Sequence, residues 1–468
     1  MQIEFYSWGA AQEVTGSKHF IRVGDSLVMI DCGAFQGKRE IADRKNRKWP
    51  FDASKIDAVI LTHAHFDHSG LLPVLMKNGF TGNVYATPAT RDLTGLILRD
   101  SAHIQQSDIE FLKKYRKGDL LFEEPLYTEE DVMEAMTSIV SISYRRKIQV
   151  TPHIAATFYD AGHILGSALV VLDIEYNGQH AKVGFSGDLG RKNLPILKDP
   201  EILPPVDYLF MESTYGNRLH DSIESAAEKL AETVSATSAR GGKVIIPAFA
   251  IERTQELIFM LHLLRDQGKI PKIPIFLDSP MAINATSIFS VHTECYDDET
   301  RKAFSSHNAN PFGFNDLHLV REASESKKLN GMTMPAVIIS SSGMCEAGRI
   351  LHHLKNNIED PRNTILVVGF MAENTLGRKI VEKNQYVKIF GENHRLKARV
   401  KVLNAFSAHA DYNEIIDYTA QLDYDRLKRI FLVHGEPDAQ ENLKNLFIEK
   451  NYKVTIMEEG KKYTENIG

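Results

Sequence analysis

Four side chains that can bind a metal cation fall within six residues, His63-Ala64-His65-Phe66-Asp67-His68, directly after the largely apolar run Ile56 to Leu61. Crowded imidazoles and a carboxylate are costly to bury without a cation between them. Neutral imidazole suits zinc, and carboxylate oxygen also suits harder divalent ions. Side chains alternate along an extended segment, so His63 and His65 share a face, whereas Asp67 and His68 fall where the chain bends. The spacing assigns His63 and His65 to one metal, and Asp67 and His68 to a second. The chemistry implied is hydrolysis at a two-metal centre.

Three more candidates end strands downstream. His163 lies among glycines in Asp160-Ala161-Gly162-His163-Ile164-Leu165-Gly166, Asp188 follows Val183 to Ser186, and His434 follows Ile430 to Val433. Together they complete two sets: His63, His65, His163 and Asp188 around one ion, and Asp67, His68, Asp188 and His434 around the other. A bridging Asp188 would hold the ions about 3.5–4 Å apart, the spacing of two-metal hydrolases. Asp31 also ends a strand, where it is expected to support a ligand imidazole from behind.

The elements that must position these groups read as α/β. Short β-rich runs at Gln2 to Ser7, Lys18 to Val23 and Ser26 to Ile30 precede helical patterns at Ala89 to Gln106 and at Glu129 to Ser141, the latter capped by Thr128. Strands return at Ile148 to Val150, Ala168 to Ile174 and Ala181 to Phe185. Strands interleaved with helices in this way predict a sandwich with sheets inside and helices outside. A middle block alternates strand, small-residue turn and helix, as in Gly242 to Pro247 leading to Glu252 to Arg265. Such turns present backbone N–H groups to anions. The last block offers strands at Ala398 to Leu403, Arg429 to Val433 and Lys453 to Met457, with helices near Asn413 to Gln421 and Ala439 to Lys450. The blocks run 1–208, 209–396 and 397–468.

Composition is that of an ordinary globular enzyme: 468 residues, too long for one core, 43% hydrophobic and 25% charged. Three cysteines, Cys32, Cys295 and Cys345, with no CxxC pair, speak against a disulfide framework. Met1 to Phe5 carries neither a basic leader nor an apolar segment, and no run is long enough to cross a membrane, so a cytoplasmic protein is expected. The net charge of −6 gives no global attraction to nucleic acid, but a local basic cleft is compatible with it.

Asp31, the His63-to-His68 cluster, His163 and Asp188 resemble the successive motifs of the metallo-β-lactamase fold. Beyond them the chain resembles its β-CASP branch, whose members act on nucleic acids. The first motif of that branch, an acidic residue, matches Glu212 in Phe210-Met211-Glu212-Ser213-Thr214-Tyr215-Gly216. The second, a histidine, matches His409 in Phe406-Ser407-Ala408-His409-Ala410-Asp411, and the third matches His434 in Leu432-Val433-His434-Gly435-Glu436. Gly9 to Ser17, Pro247 to Ala250, Arg253 to Glu256 and Asp278 to Ala282 also look like this branch. The similarity is strongest to bacterial and archaeal relatives of the endonuclease subunit of the cleavage and polyadenylation machinery. Two departures stand out. Many relatives have glycine where this chain has Glu252, and no RNA-binding module precedes the first strand.

The resemblance implies a metallo-β-lactamase αββα sandwich, split into 1–208 and 397–468, with an α/β β-CASP domain inserted at 209–396. It implies two Zn2+ ions, with Mn2+ able to occupy the oxygen-richer site, and single-stranded RNA as substrate. His409 becomes the general acid, oriented by Glu212, and Asp67 serves both as ligand and in catalysis. The inserted domain would turn the metal face into a narrow cleft, with Arg253, Ser342 and Gly343 contacting phosphates. Cleavage is expected mainly inside the strand, leaving 5′-phosphate and 3′-hydroxyl ends. The competing expectation is a 5′-to-3′ exoribonuclease; a small-molecule (thio)ester or lactone hydrolase, or a silent scaffold, explains fewer residues. Relatives often pair, so a homodimer is one assembly open to the chain.

Overall fold

The computed structural model describes residues 2–115, 124–220, 223–307, 310–369, 371, 375–403 and 407–467. Phe406 of the His409 motif lies outside them. Two compact units emerge: Met1–Lys192 with Asp199–Leu219 and His409–Gly468, and Asn193–Lys198 with His220–Ala408.

The first unit contains two seven-stranded sheets. One runs in the order Tyr463–Asn466, Gln2–Ser7, His19–Val23, Ser26–Ile30, Ala58–Ile60, Asn83–Ala86, Ile139–Ser141. The other runs Val454–Ile456, Arg429–Val433, Tyr208–Glu212, Gln179–Phe185, Ala168–Tyr176, Ile154–Asp160, Ile148–Thr151. Each is antiparallel in one half and parallel in the other. Alternation of side chains explains the layering. Ile21, Val23, Val28 and Ile30 face the second sheet, while Phe20, Leu27 and Met29 face the outer helices. Between the sheets, Phe210 stacks on Phe185 at 4.4 Å and on Phe431 at 4.9 Å. Each such buried ring contributes roughly 1.5–3 kcal/mol. Helices Pro88–Tyr115 and Glu129–Thr137 cover one sheet, and Tyr412–Thr419 and Pro437–Glu449 the other. This is the αββα sandwich.

The second unit is built on a six-stranded parallel sheet in the order Leu317–Leu319, Ile275–Leu277, Ala336–Ser340, Lys243–Pro247, Thr364–Val368, Arg399–Leu403. Its interior strands, such as the fully buried Ala336–Ser340, lack polar alternation because both faces are covered. A hairpin of Tyr386–Ile389 and Glu392–Arg395 is added.

Three elements depart from the sequence-based expectation. The helix expected over Glu129 to Ser141 stops at Thr137, under the Thr128–Asp131 capping box that opens it. Ile139–Ser141 instead pairs with Asn83–Ala86, a strand too short for periodicity to show. The strand Arg399–Leu403, grouped by sequence with the last block, lies along Thr364–Val368 in the second unit. Its edge position leaves Arg399 and Lys401 exposed, so it does not read as part of a buried parallel sheet. The chain also folds Tyr463–Asn466 beside Gln2–Ser7, an outer strand whose polar residues gave no sequence signal.

Candidate metal centre and its acid–base partner

Parallel strands that run the same way deliver their following loops to one sheet edge, and the candidate residues sit in those loops. Asp31 follows Ser26–Ile30, His63 follows Ala58–Ile60, Asp188 follows Gln179–Phe185, and His434 follows Arg429–Val433. Glu212 is the last residue of its strand, and His163 lies in the turn after Ile154–Asp160. His409 precedes helix Tyr412–Thr419 and bridges to Gly190. All belong to the first unit.

Backbone contacts fix the crowded loop. The amides of Ser17, Cys32 and Ala34 donate to the carbonyls of Asp67, His68 and Phe66 at 2.9, 2.7 and 3.0 Å. This close approach requires glycine at position 33, where a Cβ would lie 1.5 Å from the Asp67 carbonyl oxygen. Asp31 and His434 adopt left-handed backbone conformations, with φ of +61° and +50°. Such conformations cost of order 1–3 kcal/mol each. Hydrogen bonds offset the cost: Thr62 N donates to Asp31 Oδ1 at 2.7 Å, and His434 N donates to the Ala10 carbonyl at 2.7 Å.

Two groups of ligand atoms converge, each within 4.8 Å: His63, His65, His163 and Asp188 in one, Asp67, His68 and His434 in the other. Asp188 reaches both. Its Oδ2 is 3.4 Å from His63 Nε2 and 3.5 Å from His163 Nε2, while its Oδ1 is 3.4 Å from His68 Nε2 and 3.5 Å from His434 Nδ1. Asp67 Oδ2 lies 3.5 Å from His434 Nε2. Nitrogen also faces nitrogen: His68 Nε2 and His434 Nε2 are 3.0 Å apart, and His65 Nδ1 is 3.1 Å from His63 Nε2 and 3.2 Å from His163 Nε2. The buried Asp188 Oδ1 accepts no hydrogen bond. Imidazoles and carboxylates crowded this closely, with a buried carboxylate oxygen unsatisfied, fit a cation between them.

The electrostatics agree. Burial pushes the His63 imidazole down to about 3 and that of His65 to about 4, leaving neutral rings with lone pairs to offer. Burial also holds His163 well below its ordinary value, helped by the neighbouring His409 charge. Against burial, the charges of His434, His68, His63 and His409 keep the Asp188 carboxyl well below the usual range. His68 goes the other way: burial is outweighed by Asp188 and Asp31, and Asp31 Oδ2 sits 2.7 Å from its Nδ1.

Beside this cluster, His409 Nδ1 is 3.1 Å from Glu212 Oε1. Glu212 is fully buried and held: Oε1 accepts from Leu189 N at 2.7 Å and Oε2 from Thr214 N at 3.3 Å. Although burial opposes it, the carboxylates of Glu212 and Asp188 push His409 up to about 9. An imidazole so paired can donate a proton from its other nitrogen near neutral pH. Sequence reasoning left two neighbours unassigned. Thr214 Oγ1 is 3.0 Å from His434 Nδ1, and Thr62 Oγ1 donates to Asp31 Oδ2 at 2.8 Å. Thr214 lies two residues past Glu212 in a motif already singled out, which was the available signal.

The three expected phosphate contacts belong to the second unit. Arg253 opens helix Arg253–Asp266, is buried, and pairs with Glu256. Its neighbour Glu252, named above as a departure, has φ of +66°, a left-handed conformation that glycine adopts without strain. Ser342 Oγ accepts from the amides of Glu346 and Ala347 at 3.1 and 3.2 Å, and Gly343 lies against the Phe249 ring.

Three family profiles match: the metallo-beta-lactamase superfamily over residues 15–248, the Beta-Casp domain over 254–380, and the Zn-dependent metallo-hydrolase RNA specificity domain over 393–457. The chain is 36% identical over 449 residues to a Thermus thermophilus protein named Ribonuclease TTHA0252, covering 96% of this chain and 97% of that one. It is 34% identical to a Pyrococcus abyssi protein named Transcription termination factor FttA, over 92% of this chain and 66% of that one. The chain thus spans about two thirds of the length of that archaeal relative. A crystal structure of a protein of unknown function from Enterococcus faecalis shares the fold, with a TM-score of 0.56 at 12% identity over 99% of this chain and 100% of that one.

Proposed function

This chain belongs to the Beta-Casp branch of the metallo-β-lactamase superfamily, and from that premise we propose that it is a zinc-dependent ribonuclease. Its substrate is single-stranded RNA, cut mainly at internal phosphodiester bonds to leave 5′-phosphate and 3′-hydroxyl ends in RNA processing or decay. The RNA specificity profile and the relative named as a ribonuclease support a metal-dependent RNA hydrolase. The observation that carries the reading is the pairing of the partly exposed His409 with the buried Glu212, beside Asp188. A thiolate can leave without a proton, whereas a departing 3′-oxygen needs one, and His409 is placed to supply it.

His63, His65, His163 and Asp188 would hold one Zn2+, and Asp67, His68, Asp188 and His434 the other, at which Mn2+ could substitute. When bound, such cations acidify water and neutralise charge on phosphoryl oxygens. The protein's own part is to hold and move protons. Glu212 fixes the His409 tautomer through Nδ1, so Nε2 donates to the leaving oxygen. Asp31 orients His68 in the same manner. Ser342 and Gly343 are kept as proposed phosphate contacts, and Arg253 would have to exchange Glu256 for a phosphate.

The test is a labelled circular single-stranded RNA incubated with zinc-loaded protein. Linear products with 5′-phosphates are expected. An intact circle beside a digested linear control would make the protein an exonuclease acting from the 5′ end, and survival of both would overturn the nuclease reading. Metal analysis of the same preparation should return two zinc ions per chain.

A further inference from the structure

We propose that the outward face of the hairpin Tyr386–Ile389/Glu392–Arg395 is a second docking surface for single-stranded RNA, separate from the metal-ligand residues. The inference rests on the RNA-directed reading above. In the antiparallel register, Tyr386 pairs with Arg395 and Lys388 with Asn393, and all four are exposed on one face. Val387 and Ile389 point the other way into the core of their unit. That underside anchors the hairpin, so the outward residues are not needed to hold it down.

Their chemistry is that of a nucleic-acid platform. Tyr386 is 57% exposed and Phe390, at the turn, is 51% exposed, leaning on His352 with a ring separation of 4.7 Å. Between residues 383 and 401 the sequence places six cations, Lys383, Lys388, Arg395, Lys397, Arg399 and Lys401, against the single acid Glu392, in a chain whose net charge is −6. Glu392 lies opposite the inward Ile389 and is neutralised by Lys355 at 2.8 Å. Among the described residues, no carboxylate pairs with Lys388 or Arg395. Flat rings flanked by unneutralised cations suit unstacked bases on an anionic backbone; a duplex, with its bases already stacked, offers no face to the rings.

The test compares the wild type with two variants, Tyr386→Ala/Phe390→Ala and Lys388→Glu/Arg395→Glu, all at solvent-facing positions. Binding of a fluorescein-labelled oligouridylate in EDTA is followed by anisotropy, and hydrolysis of bis(p-nitrophenyl) phosphate by the zinc-loaded proteins is followed by absorbance. The expected result is an affinity loss of about tenfold or more in each variant, with hydrolysis of the small ester unchanged. Charge reversal should also flatten the salt dependence of binding. Unchanged affinity in both variants would overturn the proposal. So would a change confined to the protein's own association state in sedimentation, which would make the face a self-contact. Wild-type protein that binds RNA through the hairpin yet never cleaves it would sink the nuclease reading while leaving this one standing.

Discussion

Among the described residues, each unit holds a cluster built on a buried aspartate and histidine, and the two are built to opposite ends. In the second unit, Asp278 is saturated. Its Oδ1 accepts from Arg349 at 2.7 Å, and its Oδ2 from Ser326 at 2.5 Å and His353 at 2.6 Å. Burial would raise its pKa, but these donors hold the carboxyl below its ordinary range. In the first unit, Asp188 Oδ1 has no donor, and imidazole nitrogens point at one another. Residue types alone do not separate the two. What marks the candidate cation site is the convergence of several ligand atoms on a buried carboxylate oxygen that accepts no hydrogen bond.

Substitutions can break that contrast. Asp188→Asn removes the carboxylate that reaches both ligand groups. Metal content should fall and RNA cleavage should drop to background, read by mass spectrometry of the metal and by product gels; full metal occupancy would erase the distinction. His409→Ala should slow turnover by about 10²–10⁴ while metal content stays intact, since its proposed part is to move a proton. Normal turnover would remove it from the mechanism. Asp31→Asn loosens only the orientation of His68, so a loss of about 10–100-fold in metal affinity is expected from chelator competition. Asp278→Asn should leave metal content untouched and cost about 3 kcal/mol of stability in denaturant unfolding, as expected for a broken buried pair.

A pH measurement sharpens the comparison further. In the metal-free protein, Glu212 and then Asp188, opposing burial, raise His409 from 6.5 to about 9. The stabilisation it gains is therefore complete below about pH 6.5 and lost as pH rises through about 9. The stability gap between wild type and Glu212→Gln, both free of metal, should narrow across that window. A gap that is constant with pH would mean the pair is not ionic.

Much of the first cluster was legible in sequence because its ligands come from a dense local motif and from strand ends, where pattern and chemistry coincide. The division of His63 and His65 from Asp67 and His68 came from face alternation, whereas the place of Asp188 between them was posited as a carboxylate bridge. Thr62 was not legible, since a threonine beside a histidine carries no signal until register brings their atoms together, and Thr214 had only its place in the Glu212 motif to mark it. The Asp278 network was invisible for the same reason: its members are separated by 48 to 75 residues. In the fold, buried strands declared themselves by apolar runs. The three-residue Ile139–Ser141 and the charged edge strand Arg399–Leu403 did not, because pairing is decided by distant partners.

The 366 residues that separate His68 from His434 also set the order in which the molecule comes into being. A growing polypeptide displays His63 to His68 long before the strand Arg429–Val433 that leads to His434, and helix Pro437–Glu449 and strands Val454–Ile456 and Tyr463–Asn466 come after it. The two halves of the cluster cannot meet until the strand that leads to His434 has been made.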